Sequence, residues 1–306
     1  MTQRENRVAE DFVAGFVALV GRPNVGKSTL LNAVLGQKVS IATRKPQTTR
    51  HRILGIHQRE DAQIVYVDTP GLHEGGRTAM NRYMNEAAGN ALGDVDVVVL
   101  ITEAGRWTEG DERVLRRLQG LEVPVVAVIN KADRLHDKNR LLPEIETLSG
   151  RFPFAAVVPV SALRSDNLEA LERALIEALP AGPPLFPRDQ LTDRDERFMA
   201  TELVREQLTL MLGDELPYAS TVEIEAFEQE GELRRIAAII WVERVGQRRI
   251  VIGEGGEQTK RIGAAARRQM EYLFGGRVYL KLWVKVREGW SDDARMLKSL
   301  GYSADQ

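Results

Sequence analysis

Five short runs of apolar, mostly β-branched residues punctuate the first part of the chain: FVALVG at 16–21, QIVYVDT at 63–69, DVVVLIT at 96–102, PVVAVIN at 124–130 and AVVPVS at 156–161. They lack the polar alternation of a half-exposed strand, which suits strands buried on both faces of a parallel sheet covered by crossover helices. Longer helical patterns separate them. The pattern therefore predicts an α/β doubly wound domain over 16–180, preceded by a tail at 1–15. Its last helix is expected to begin near Asp166 or Asn167, before LEALERALIEAL, and to end at Pro180.

The pattern then changes. PAGPPLFP at 180–187 carries four prolines and a glycine, which cannot continue a helix and favour an extended connection. Residues 181–192 are expected to link the first domain to a second at 193–306. There, Thr192 with Asp195 reads as a capping box opening a helix to about Leu212. STVEIEAF at 220–227 and ELRRIAAIIWVE at 232–243, around a turn at 229–231, read as a hairpin. A short helix ending near Ile252, a glycine-rich break, a helix from about Glu257 to Phe274 and a strand at 278–286 complete an α+β domain. In that strand Val278, Leu280, Leu282, Val284 and Val286 are expected in the core. The alternate set, Tyr279, Lys281, Trp283 and Lys285, either touches nucleic acid or packs against a helix.

Composition agrees with two globular domains: 306 residues, 43% hydrophobic and 28% charged. The absence of cysteine excludes a disulfide scaffold, a thiolate metal site and a cysteine nucleophile. The four histidines, His51, His57, His73 and His136, show no metal-ligand spacing. The N-terminus does not read as a targeting peptide, and the longest apolar runs fall far short of the ~20 residues of a membrane span. A soluble, cytoplasmic protein is expected, with peripheral attachment to a membrane left open. Net charge is −2, but it is unevenly spread: 234–287 holds 13 Lys or Arg against 4 Asp or Glu. That segment stands at +9 and the rest of the chain at −11, which points to a polyanionic partner for the basic part.

Directly after the first run comes GRPNVGKS at 21–28, then TLLNAVLG, which fits G-x-x-x-x-G-K-[ST] with a strand before it and a helix after it. The competing account is a chance match in a glycine-bearing loop. In the phosphate-loop reading, Gly21, Arg22, Pro23, Asn24, Val25, Gly26 and Thr29 wrap a diphosphate with backbone amides. Lys27 adds a point charge and Ser28 a hydroxyl for Mg²⁺. In DTPG, Asp68 ends a core strand where a carboxylate can reach Mg²⁺, and Thr69, Pro70 and Gly71 bring the Gly71 amide to a γ-phosphate. NKAD supplies Asn130, Lys131 and Asp133 at the end of a later strand. The Asp133 carboxylate can accept hydrogen bonds from the guanine imino and amino groups, which adenine lacks. Ser161, Ala162 and Leu163 could present an amide to the guanine oxygen, although taken singly a plain strand-to-loop turn explains them better.

Order and spacing of these pieces resemble the translation-factor-related GTPase superfamily over nearly all of 16–180, and GRPNVGKSTL with KPQTTRHR at 45–52 resembles its Era branch. The resemblance implies hydrolysis of GTP to GDP. It makes Thr49 the switch threonine that binds Mg²⁺ and senses the γ-phosphate, with Thr48 beside it; the competing account is a solvated loop hydroxyl. Segments 40–50 and 71–82 are expected to order with GTP and loosen after hydrolysis. After DTPG stands Leu72, where many GTPases carry a glutamine that orients the attacking water. The site then hydrolyses slowly, borrows another group such as His73, or uses an ion. Asn24 matches the asparagine with which related GTPases coordinate K⁺, and equally suits a loop residue bonded to its own backbone.

In the second domain, QRRIVIGEGGEQTKRIGAAARRQME puts Gly253, Glu254, Gly255 and Gly256 between two helical patterns. In such a G-x-x-G loop bare backbone can approach a nucleic-acid strand. The order α-β-β-α-α-β over about 193–287 resembles a type II KH domain, the module that the Era family joins to its GTPase. Lys260, Arg261, Arg267 and Arg268 are the candidate phosphate-facing cations, and Glu254 departs from the basic residue typical of the family. Ile250, Val251, Ile252, Ile262 and Ala266 line either a groove for bases or the core. The resemblance implies a monomeric factor acting on the 3′ region of 16S rRNA in 30S subunit biogenesis. The rival readings are an RNA-binding protein whose nucleotide pocket turns over negligibly, and a GTPase whose basic domain binds membrane or protein.

Overall fold

A computed structural model describes residues 12–71, 78–135, 137–213 and 215–302. The chain divides into two compact units, one of 12–40, 49–71 and 84–193, the other of 41–48, 78–83 and 194–302. The division thus falls between Asp193 and Arg194, after the proline-rich segment rather than within it.

The first unit is built on a six-stranded sheet in the order β2-β3-β1-β4-β5-β6. Its strands are β1 (Val13–Val20), β2 (Ile53–Gln58), β3 (Ala62–Asp68), β4 (Val97–Glu103), β5 (Val125–Asn130) and β6 (Ala156–Pro159). All neighbours are parallel except β2 and β3. The helices are α1 (Lys27–Leu35), α2 (Ala79–Asn90), whose first residues belong to the second unit, α3 (Glu109–Leu118), α4 (Leu141–Ser149) and α5 (Leu168–Ala178). Val17, Leu19, Val97, Val99, Val126 and Val128 are fully buried, and Leu30, Leu171 and Leu175 join them from α1 and α5. This is the double-sided burial that continuous β-branched runs require.

Strand β2, a short edge interrupted by Gly55 and His57, went unpredicted, and helix α2 is rich in polar residues although Met80, Met84 and Ala88 lie buried at helical spacing. The proline-rich segment is extended and lies along the first unit: Gly182 N–H donates to Phe12 at 2.9 Å, and Gln63 Oε1 accepts from the amides of Leu185 (2.7 Å) and Phe186 (2.9 Å).

In the second unit, α6 (Glu196–Met211) precedes β7 (Ser220–Glu230), β8 (Leu233–Val242), α7 (Val245–Ile252), α8 (Glu257–Phe274), β9 (Arg277–Val286) and α9 (Ala294–Ser299). The sheet order is β7-β8-β9, with β7 and β8 antiparallel and β8 and β9 parallel. Leu203, Leu208, Ile236, Ile240, Val251, Ile262 and Met270 form its core.

Helix α6 is capped by Asp195, whose side chain accepts from Phe198 N–H at 2.7 Å, so the Thr192 capping box is corrected. Thr192 instead bridges to Gly55, and Asp193 Oδ1 accepts from Leu54 N–H at 3.0 Å. The hairpin pairs Glu230 with Leu233, which places the turn at Gly231 and Glu232, one residue later than expected.

Segment 41–48 packs within this second unit. Lys45 Nζ donates to the Leu212 carbonyl at 2.6 Å, and the buried Arg205 donates to the Thr48 carbonyl and to Glu202. No helix among the described residues is long and apolar enough to cross a membrane.

Candidate functional site

Strand register assembles the candidate site. Leu19 pairs with Asp68, so the loop leaving β1 and the carboxylate ending β3 emerge side by side. Glu103 pairs with Asn130, which brings the ends of β4 and β5 to the same edge of the sheet. Ligands of open α/β sheets bind at this carboxyl edge.

Helix α1 starts at Lys27 with its N-terminus against the 21–26 loop. Gly26 has φ 106° and its missing Cβ leaves room for Asn130 Nδ2, so no other residue fits there. Lys27 is buried and its ammonium donates to the Gly21 carbonyl at 3.1 Å. Burial pushes its pKa down, and the facing Asp68 carboxylate opposes that push. The Gly71 position lies beside this ammonium, where a Cβ would sit 3.5 Å from Nζ. Thr69 Oγ1 donates to the Leu19 carbonyl at 3.1 Å and holds the DTPG turn on β1.

Ser28, Thr49 and Asp68 come together. Ser28 Oγ donates to Asp68 Oδ2 at 2.7 Å and lies 2.8 Å from Thr49 Oγ1. Ser40, which sequence reasoning missed, donates to the same oxygen at 2.8 Å. It is positioned by Asn32, whose Oδ1 accepts from the Val39 and Ser40 amides at 2.9 and 3.1 Å. Burial raises the Asp68 pKa against the hydroxyl bonds and the nearby Lys27. Asp68 Oδ1 is buried with no hydrogen-bond partner, an orphan acceptor of the kind that a cation satisfies. Two hydroxyls and a carboxylate are the hard oxygen donors that suit Mg²⁺. Thr48 is not among them: its hydroxyl lies 2.6 Å from that of Thr43 and donates to the Lys45 carbonyl at 2.7 Å.

The residues expected to recognise a base are bound to the 21–29 loop and to one another. Asn130 Nδ2 donates to the Val25 carbonyl at 2.8 Å, while Oδ1 accepts from Lys131 N–H at 2.7 Å and Ala162 N–H at 3.1 Å. Ser161 Oγ donates to Asp133 Oδ1 at 2.6 Å and fixes that carboxylate. Lys131, at φ 64°, sends Nζ to the Asn24 carbonyl at 2.7 Å. Glu103, a second missed residue, accepts from Arg22 (3.0 Å), Lys131 (3.2 Å) and Arg134 (2.9 Å). Burial alone would raise its pKa, but the bonds from Arg22 and Lys131 hold it below the ordinary carboxylate value.

Arg22 is thereby turned from the phosphates, since Asp111 also takes its Nε at 3.0 Å; its share in the loop is backbone only. Asn24 has φ 65° and an exposed side chain, Pro23 packs near Gly71, and Leu163 is 79% exposed. Leu72 and His73 lie outside the described residues, and no cluster of three potential metal-binding His, Asp or Glu occurs among those described.

In the second unit the 253–256 loop joins α7 to α8. Gly255 (φ 58°) and Gly256 (φ 82°) lie in the left-handed region, with nothing within 4 Å of where a Cβ would stand. Gly253 (φ 73°) is closed instead, because a Cβ would lie 2.7 Å from Gln258 Cβ. Glu254, Lys260, Arg261, Arg267 and Arg268 are exposed, whereas Val251, Ile262 and Ala266 are core. Ile250 is 57% exposed and stands outside the core.

Residues 16–131 match the family described as 50S ribosome-binding GTPase, and 215–291 match the KH domain. The chain is 58% identical to the GTPase Era of Azotobacter vinelandii over 94% of this chain and 96% of that one. It belongs to the Era family of GTPases. Two solved Era structures align with it at TM-score 0.92 and 37% identity. One is Era with MgGDPNP and nucleotides 1506–1542 of 16S ribosomal RNA, covering 95% of this chain and 99% of that one. The other is a variant of Aquifex aeolicus Era bound to GDP·AlF4⁻, covering 95% of this chain and 100% of that one. As an Era GTPase, the protein binds GTP and hydrolyses it, with Mg²⁺ as the metal, and carries a KH domain behind its GTPase domain.

Proposed function

We propose that this Era-family protein binds the 3′ end of 16S rRNA through its KH domain, under control of the guanine nucleotide, and acts in assembly of the 30S subunit. The observation that carries the reading is the convergence in one chain of the Ser28–Thr49–Asp68 cluster with an open Gly255–Gly256 backbone flanked by Lys260 and Arg261. A solved relative holds MgGDPNP and a 16S rRNA segment together. The rival readings gain no support from these comparisons. The reading implies a cytoplasmic monomer; association with a membrane rests on the resemblance alone.

At the nucleotide site, the backbone of 21–29 encloses the α- and β-phosphates at the N-terminus of α1. Asp133, held by Ser161, accepts from guanine N1–H and its amino group, and the 161–163 turn closes over the base. Ser28, Thr49 and Asp68 are the set that would hold Mg²⁺, which supplies charge neutralisation at the outer phosphates. Water attacks the γ-phosphorus, the bond to the β–γ bridging oxygen breaks, and GDP leaves with the electron pair. Lys27 and the Gly71 amide stabilise the charge developing on the bridging and γ oxygens. The Leu72 side chain has no group that could orient the water, and the exposed Asn24 side chain would hold a K⁺, which would supply positive charge at the β–γ bridge. At the RNA site, Gly255 and Gly256 let a phosphate approach bare backbone, and Lys260, Arg261, Arg267 and Arg268 supply charge. Glu254 weakens that field at one position.

Phosphate release by the full chain, with and without a 16S 3′-end RNA and in K⁺ or Na⁺, tests the reading. Turnover that rises with the RNA and with K⁺, and loses its K⁺ preference in Asn24→Ala, supports it. Turnover indifferent to RNA contradicts the coupling, and equal rates in both salts contradict the potassium assignment.

A further inference from the structure

The three-stranded sheet of the second unit has one face covered by helices and one turned away from them. Val278, Leu280, Leu282, Val284 and Val286 of β9, with Ile236, Ala238 and Ile240 of β8, pack on the helical side. The opposite set lies on the other face, where register places it in rows: Arg235 beside Tyr279, Ala237 beside Lys281, the buried Ile239 beside Trp283, and Trp241 beside Lys285. Tyr279 is 53% exposed, Lys281 and Lys285 are exposed, and both indoles are half-buried. The C-terminal segment meets this face at its Thr221 end, where Tyr302 Oη lies 3.0 Å from Thr221 Oγ1.

Cations and rings alternate on the face. Lys281 Nζ stands 4.6 Å from the Trp283 ring centre, Lys285 Nζ 5.8 Å from that of Trp241, and the Arg235 guanidinium 5.8 Å from that of Tyr279. Acidic residues gather on the far strand, β7: Glu223 accepts from Trp241 Nε1 at 2.7 Å, Glu225 lies 3.9 Å from Lys285, and Glu230 holds Arg235 at 2.8 Å. Arg277 and Lys281, on β9 itself, form no ion pair among the described residues. Positive charge without a carboxylate partner is therefore concentrated along the free edge of the sheet.

That edge also adjoins the G-x-x-G region. Arg248 of α7, the helix leading into the 253–256 loop, donates from Nε to the Val284 carbonyl of β9 at 3.1 Å. An RNA strand leaving the groove beside α7 need only cross β9 to reach the aromatic face. Flat rings with cations between them match the base-and-phosphate alternation of a single strand, and stacking on them needs no particular base.

We propose that the outward sheet face formed by Trp241, Tyr279, Lys281, Trp283 and Lys285 is a second contact for single-stranded RNA, on which bases beyond the G-x-x-G groove stack. The proposal rests on the groove being the primary RNA site. Its test uses the full chain and two oligonucleotides of the 16S 3′-end sequence, one of about 8 nucleotides and one extended at both ends to about 16, followed by fluorescence anisotropy. The double variant Tyr279→Ala/Lys281→Ala changes only exposed side chains, and Trp283→Ala is compared with Trp283→Phe, which keeps a ring. The expected result is unchanged binding of the short strand, at least about tenfold weaker binding of the long one by the double variant and by Trp283→Ala, and recovery in Trp283→Phe. Equal affinity of wild type and double variant for the long strand overturns the proposal, as does an equal loss for both lengths. If the wild type fails to bind the short strand but binds the long one through these side chains, the groove reading fails and the face stands; if it binds neither, both fall.

Discussion

Asn130 Nδ2 donates to the Val25 carbonyl at 2.8 Å, and its Oδ1 accepts from the amides of Lys131 and Ala162. One buried carboxamide thus ties the phosphate loop, the base-recognition loop and the turn after β6 into a single preformed pocket. Replacing it with alanine strands a buried carbonyl and two amides, each a loss of about 1–3 kcal/mol where water cannot reach. Asn130→Ala is expected to weaken GDP and GTP binding about tenfold or more, read by titration with a fluorescent nucleotide. Unchanged affinity would show that the three loops are held by other contacts.

In the proposed reading Asp133 carries the choice of base. Its carboxylate is fixed by Ser161 at 2.6 Å, so Asp133→Asn keeps the shape and exchanges an acceptor for a donor. The variant should lose GTP affinity and gain affinity for xanthosine nucleotides, measured by competition. Retained preference for GTP would refute the assignment.

Glu103 gives the protein a titratable stability contribution. Its folded pKa lies below the ordinary carboxylate value because Arg22 and Lys131 outweigh its burial. A depressed carboxylate stabilises the fold above the unfolded pKa of about 4.3 and loses that contribution as pH falls through the folded value. Glu103→Gln should be less stable than wild type at neutral pH, and the gap should close on acidification below about pH 4. Denaturant unfolding across this range measures it; a gap that widens in acid would reverse the sign.

Some of this site is legible in one dimension and some is not. GRPNVGKS, DTPG, NKAD and the 253–256 glycines are contiguous, because each is a loop whose backbone itself approaches a ligand. Ser40, Asn32 and Glu103 carry no such signature: they act through hydrogen bonds to residues 28, 8 and 81 positions away, which only the folded chain brings together. Nor does the sequence show that the Arg22 side chain bonds to Asp111 and Glu103, which leaves its backbone to serve the loop. The helix-start signal was read at Thr192 because the spacing fits, but the chain pairs with β2 at that point and the helix begins only after Asp195. The alternation in β9 was clear, while the exposure of its Tyr279 face depends on where three helices pack.

In the second unit, Arg205 is 2% exposed and bonded to Glu202 and to the Thr48 carbonyl, and the next residue in the chain is Thr49. Removing one partner of a buried pair leaves an uncompensated charge, at a cost of about 3–5 kcal/mol. Arg205→Met should lower unfolding free energy by that order, whereas Arg205→Met/Glu202→Leu should recover much of it. A single variant as stable as wild type in urea would show that the pair carries no such burden.

The central claim is that a guanine-nucleotide switch and a G-x-x-G loop act on one ribosomal RNA end. It is met most directly by crosslinking the protein to RNA in cells and sequencing what is attached, for wild type and for Gly255→Asp, with the purified protein examined in parallel in GTP and in GDP. The account predicts reads concentrated at the 3′ end of 16S rRNA, more abundant with GTP than with GDP and lost in Gly255→Asp. Reads scattered over unrelated RNAs, or unchanged by both the nucleotide and the substitution, would contradict it.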